Sequence, residues 1–198
     1  MNLSGPIAFA FSSYVLVNAF TPGPGNILAL NTMTNYGWKR GKPLFFGIFA
    51  GYFIVQALCA LSVYGLERFL NPVLAVMKYA GAAYIFYLMA EIVRSKPPEE
   101  GSDKTASWLR GFILQFVNVK IYLFGITALT CYIVPHFQSL ASLILFEMLI
   151  ASVGTCATLT WIFFGGQFRG FYIRHFRLIN ILSALLLGQC AWALLAND

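Results

Sequence analysis

Apolar residues run through this 198-residue chain in long stretches, and the charged residues fall between them. Residues 1–38, 43–66, 79–90, 121–146, 148–168 and 178–197 contain no Asp, Glu, Lys or Arg. A hydrocarbon core about 30 Å thick is crossed by about 20 helical residues at 1.5 Å rise. The pattern predicts six spans, near 7–31, 44–66, 73–92, 109–134, 140–164 and 178–196. None has the polar face that a helix of a soluble bundle needs. The amino-terminal run lacks a basic segment before it and a small-residue cleavage site after it, so it reads as a retained first span.

Two of the spans carry interruptions. Thr21-Pro22-Gly23-Pro24-Gly25-Asn26 places two prolines and two glycines inside the first. Such a cluster breaks the helical ladder and frees backbone N–H and C=O groups. In hydrocarbon these groups are tolerated only where protein or a cavity covers them, and broken helices facing a midplane cavity are how many secondary transporters build a substrate site. The second interruption is Gln115-Phe116-Val117-Asn118-Val119-Lys120 in the fourth span. Lys120 follows Arg110 by ten residues, about 15 Å at helical rise, which is near the bilayer centre. Pro22 precedes Lys39 by 17 residues, roughly 25 Å by the same rise.

The most polar stretch, Ser95-Lys96-Pro97-Pro98-Glu99-Glu100-Gly101-Ser102-Asp103-Lys104, divides the chain into halves of three spans. It reads as a cytoplasmic connector, 95–108, between repeats of about 1–94 and 109–198. Three is odd, so the second half crosses in the opposite sense, as in an inverted repeat. The expected fold is an all-α membrane protein. Its six transmembrane helices form two inverted three-helix repeats, with the first and fourth helices interrupted, in one domain.

Composition and charge agree with that reading. The chain is 59% hydrophobic and 10% charged, with a mean hydropathy of +0.73, against roughly 25% charged residues in an ordinary globular domain. The net charge of +6 is placed by topology. Lys39, Arg40, Lys42, Arg94, Lys96, Lys104, Arg110, Arg169, Arg174 and Arg177 fall on one side of the six spans and Arg68 alone on the other. Short basic loops stay cytoplasmic, so both termini are expected outside. A nucleic-acid surface would interleave aromatics with its cations in polar context, and this chain does not.

Several residues carry candidate chemistry. An ionisable group at the depth of Lys120 is costly and faces an interior path or a partner, and its stem is short for snorkelling to the headgroups. Glu147, seven residues into the fifth span, reads first as a rim residue near the outer surface and second as the proton-coupling group. Lys78 reads as snorkelling, and Glu91 and Arg94 as interfacial. The pair Gly47 and Gly51 and the stripe Ala151, Ser152, Gly154, Thr155, Ala157 and Thr158 read as helix packing. Cys59, Cys131, Cys156 and Cys190 lack paired spacing and read as small buried hydrophobes. His136 and His175 fall on opposite sides and share no metal. Neither interruption holds the cysteine that a thiol–disulfide electron carrier needs, and no nucleophile–base set marks an enzyme.

The phrase 21–26, the segment Gly37-Trp38-Lys39-Arg40-Gly41, Gly81-Ala82-Ala83-Tyr84 and the run 115–120 together resemble the LysE/RhtB amino-acid exporter family over nearly the whole chain. Within it the run 115–120 and Asn26-Ile27-Leu28-Ala29-Leu30 are most similar to cysteine/O-acetylserine exporters. Gly25 departs from that subgroup, which usually has a second Asn there, and the departure bears on substrate preference. The resemblance implies a bacterial inner-membrane exporter of small amino acids, coupled to protons, with no cofactor or metal and no enzymatic activity. Other amino acids of the homoserine/threonine or lysine type, or a passive channel or structural subunit, are the alternatives, and a homo-oligomer is left open. The expected substrate-binding residues are Thr21, Pro22, Gly23, Pro24, Asn26, Gln115, Asn118 and Lys120. The helix restarting after Pro24, the amide of Asn26 and the charge of Lys120 would meet the carboxylate; Gln115, Asn118 and freed carbonyls would hold the ammonium.

Overall fold

A computed structural model describes residues 4–94 and 106–196, and every regular element among them is a helix. These are α1 (Gly5–Phe20), α2 (Pro24–Leu61), α3 (Glu67–Arg94), α4 (Trp108–Val117), α5 (Val119–Ala128), α6 (Leu140–Gln167), α7 (Arg169–Arg174) and α8 (Phe176–Ala196). Single π-turns, Ser62–Leu66 and Leu129–Ile133, extend α2 and α5. Most of the connector, residues 95–105, lies outside the described residues, as do the side chains of Arg68, Lys78, Arg169 and Cys190.

Both expected interruptions are present. α1 ends at Phe20, Thr21 and Gly23 are extended, and Pro24 opens α2, where its missing N–H costs nothing. The fourth span breaks at one residue: Asn118 (φ −85°, ψ 83°) separates α4 from α5, which bend by 55°. Two helical stretches contain a segment long and apolar enough to cross a membrane, one within Pro24–Gly65, which is interrupted at Gly37, and one in Leu140–Gln167, or three if the bent α4–α5 pair is one span. α1 is shorter than a span, at 16 residues, because the Pro/Gly cluster stops it.

The segment 37–41, expected as a loop, is helical apart from Gly37 (φ 68°, ψ 177°), a conformation open essentially to glycine alone. The chain folds back there. A Cβ on Gly41 would stand 3.2 Å from Thr32 Cγ2, a contact impossible nine residues along a straight helix.

Glycine also sets the crossing of α2 on α4. A methyl on Gly47 would overlap the Trp108 carbonyl, and one on Gly111 the Leu44 carbonyl. At Gly51 it would lie 2.9 Å from the Phe112 carbonyl and Gln115 Cβ. Small residues let the two backbones meet, and that contact carries Gln115 into the interior. α6 packs on α2, and α3 on α8.

Two apolar clusters result. One gathers Phe11, Val15, Val55, Phe124, Leu129 and Ile150; the other gathers Ile27, Leu44, Ile48, Leu88, Leu114 and Leu187. Large apolar side chains also point outward, including Phe9 (76% exposed), Leu145 (69%) and Trp192 (72%). An apolar exterior on this scale marks a membrane environment. Cys59 is buried, but Cys131 and Cys156 are exposed, which corrects the expectation that they pack inside. Arg110 Nη1 donates to Glu91 Oε1 at 2.6 Å, tying the start of α4 to the end of α3.

Candidate functional site

The two breaks meet. A chamber of about 30 Å³ is lined from the first by Gly23, Gly25 and Asn26, and from the second by Gln115, Asn118 and Lys120. Asn18 and Ala19 of α1, Tyr52 of α2 and Gly154 and Thr158 of α6 complete the polar part of its wall. Backbone from both breaks thus lines a cavity.

Lys120 reaches across from α5. Its Nζ donates to Thr21 Oγ1 at 2.9 Å and to the Thr21 carbonyl at 3.2 Å. The side chain lies over Gly23, where a Cβ would stand 3.1 Å from both Cδ and Nζ. Beyond Lys120 is a wider cavity of about 500 Å³ against Pro22, Pro24, Leu186 and Gln189, so the ammonium borders both spaces. Pro22 and Thr21 line only this outer cavity.

Asn26 does different work from that expected. Its Nδ2 donates to the Ala19 carbonyl at 3.0 Å and the Thr21 carbonyl at 3.3 Å, and its Oδ1 accepts from Thr158 Oγ1 at 2.8 Å. The amide therefore satisfies carbonyls released where α1 stops, and it locks the break to α6. Its donors are not aimed at a ligand, so Asn26 shapes the site.

Gln115 is the converse. It is 1% exposed, and neither amide atom has a hydrogen-bond partner among the described residues. A buried, unpaired amide costs about 1–3 kcal/mol, so one that borders a chamber is a ready group for a ligand or water. It stands where a side chain at Gly25 would be: a Cβ there would come within 2.9 Å of Gln115 Nε2.

Glu147 is 0% exposed, which corrects the reading of it as a rim residue. Counting residues from the start of α6 measures depth along one helix only. Gln56 of α2 and Gly125 of α5 close on the Glu147 carboxylate.

Sequence reasoning missed Tyr52, Gln56, Asn18 and Thr158. Tyr52 and Gln56 were legible in principle, as polar groups one turn apart in an apolar helix. It also missed a network that holds α2 to α7 and α8. Asn31 Nδ2 donates to Tyr172 Oη at 3.1 Å, Asn35 Nδ2 to the same oxygen at 3.1 Å, and Tyr172 Oη to Asn180 Oδ1 at 2.7 Å.

Comparison with known proteins agrees with these features. The chain is 38% identical over 183 residues to the cysteine/O-acetylserine efflux protein of Escherichia coli (strain K12), covering 92% of this chain and 94% of that relative. The proteins of the same name from Shigella sonnei (strain Ss046) and Shigella flexneri serotype 5b (strain 8401) match to the same extent. No solved structure matches. The family model described as LysE type translocator matches residues 16–197, and with two broken helices around one buried chamber the chain belongs to that family of membrane transporters.

Proposed function

We propose that this chain exports small amino acids of the cysteine and O-acetylserine kind from the cytoplasm as a secondary carrier driven by the proton gradient. The observation that carries the reading is the meeting of two backbone breaks, one from each half, at a chamber bordered by the ammonium of Lys120. The efflux named for relatives at 38% identity supports the substrate class.

A zwitterionic amino acid needs a cation for its carboxylate and acceptors for its ammonium. Lys120 supplies the charge, and the N–H groups at the start of α2 add the positive end of a helix dipole. The Gln115 carbonyl oxygen and backbone carbonyls near Asn118 receive the ammonium. Thr21, Pro22, Gly23 and Pro24 hold the backbone open, and Asn26 braces it. A chamber of about 30 Å³ holds little more than a water, so the conformation is a closed one. Rocking of repeat 1–94 against repeat 109–198, inverted and joined by the connector 95–108, opens it to each side in turn. The six spans lie in the bacterial inner membrane with both termini periplasmic.

The test is uptake and counterflow of labelled cysteine, O-acetylserine, threonine and lysine in proteoliposomes, with and without an imposed pH gradient. Saturable, gradient-stimulated flux of the first two is expected. Non-saturable flux would indicate a passive channel, and preference for lysine or threonine would reassign the substrate.

A further inference from the structure

A second polar group lies buried apart from the chamber. Glu147 of α6 and Gln56 of α2 are both 0% exposed, and none of their four side-chain polar atoms has a hydrogen-bond partner among the described residues. They converge on Gly125 of α5. A Cβ there would stand 2.8 Å from Gln56 Oε1 and 2.9 and 3.1 Å from the two Glu147 oxygens, so carboxyl and amide close on the same point of α5.

We propose that Glu147 and Gln56 form a buried acid–amide pair that holds the transported proton, and that Tyr52 links its occupancy to the substrate chamber. The proposal rests on the reading of the chain as a gradient-driven carrier. Among the described residues no cation is paired with the Glu147 carboxylate. Tyr52 and Cys59 of α2 face it, and the wider cluster adds Tyr122 from α5, Tyr14 from α1 and Tyr132 from the adjoining π-turn, none of which can carry a positive charge. The rest of the wall is apolar, including Phe124, Ala128, Leu143 and Ile150. A bare carboxylate in such surroundings is too costly to persist, so Glu147 carries its proton in this closed conformation.

The neutral acid then has one O–H to give and one carbonyl oxygen to receive. Gln56 offers the matching acceptor and donor, and pairing brings the two side chains together over Gly125. Because Gly125 packs against both groups, a proton is the ion that fits without a coordination shell. Loading adds one proton to the carboxylate and release removes it, with no other bond made or broken.

Tyr52 supplies the link to the chamber. It precedes Gln56 by one helical turn on the same face of α2, and it lines the substrate chamber. Its ring is wedged onto Gly154, two turns along α6 from Glu147, where a Cβ would come 2.7 Å from Tyr52 Oη. A substrate that enlarges the chamber displaces Tyr52 against the two helices that hold the pair.

Infrared spectroscopy of the full chain in liposomes, combined with flux measurements, tests this. The expected result is a protonated-carboxyl stretch at neutral pH that is absent in Glu147→Gln and shifted to higher frequency in Gln56→Leu. In Glu147→Gln the ratio of flux with and without a pH gradient, referred to that variant's own counterflow, is expected to fall to one. An ionised Glu147 at neutral pH would overturn the proposal. So would a band unmoved by Gln56→Leu, or a wild-type gradient response in Glu147→Gln. Wild-type protein without amino-acid flux would overturn the exporter reading instead, and the infrared band would still decide the acid–amide pair.

Discussion

The amide of Gln115 fills the space that any side chain at position 25 would need, its Nε2 lying 2.9 Å from where a Cβ of Gly25 would stand. The absence of a side chain on one break therefore sets where the polar group of the other can sit. Gly25→Ala pushes only the far end of a flexible side chain, so the protein is expected to fold and insert normally. With one substrate hydrogen bond misplaced, the loss is about 1 kcal/mol, or roughly five- to tenfold in KM. Gln115→Ala should produce a similar rise. Concentration-dependent uptake for both variants checks this, and an unchanged KM in Gln115→Ala would remove the amide from the site.

Asn26 leads to a different expectation, because its donors hold the Ala19 and Thr21 carbonyls. Asn26→Ala takes the donor from the buried Ala19 carbonyl, at about 1–3 kcal/mol, while the Thr21 carbonyl keeps Lys120 Nζ. Thermal stability in detergent should therefore fall clearly. Asn26→Asp keeps the acceptor for Thr158 but loses the donors, so it should fall nearly as far. Full stability in both variants would return Asn26 to the role of substrate donor.

Much of this site was legible in the chain before its fold. Prolines and glycines at 22–25 can be read locally, since their effect on a helix needs no partner. The break at Asn118 and the weight placed on Lys120 followed from an amide and a cation in an apolar run. What could not be read was juxtaposition. Gln56 is a lone amide with no ionic signal, and its meaning appears only when Gly125 and Glu147 arrive from other helices. The Asn31–Tyr172–Asn180 network likewise joins residues from the two halves of the chain. A reversal between the first two spans was expected from the basic residues there, but that it turns at Gly37 alone, between helical residues, was not.

Gly37 gives a direct test of that reversal. Its backbone (φ 68°, ψ 177°) lies in a region that side chains rarely enter, although no atom of the described residues stands within 4 Å of an added Cβ. Gly37→Ala should therefore destabilise through backbone strain alone, by about 1–3 kcal/mol. Thermal unfolding in detergent measures it. Gly5→Ala, equally uncrowded but at an ordinary φ, serves as the control and should shift nothing.

Lys120 separates a structural cation from a functional one. Its ammonium donates to both oxygens of Thr21, so it holds the breaks together while bordering the chamber. If that bracing were its main task, Thr21→Val, which keeps the carbonyl and removes Oγ1, would harm transport about as much as Lys120→Ala. If the charge serves the substrate carboxylate, the two variants should part. Charge-assisted hydrogen bonds contribute about 1.5–3 kcal/mol, so Lys120→Ala should reduce transport by roughly ten- to a hundredfold or more, whereas Thr21→Val should stay within about tenfold of wild type. Initial rates in proteoliposomes, normalised to inserted protein, distinguish them. Lys120→Met supplies a control for side-chain volume, and wild-type rates in that variant would place the carboxylate elsewhere.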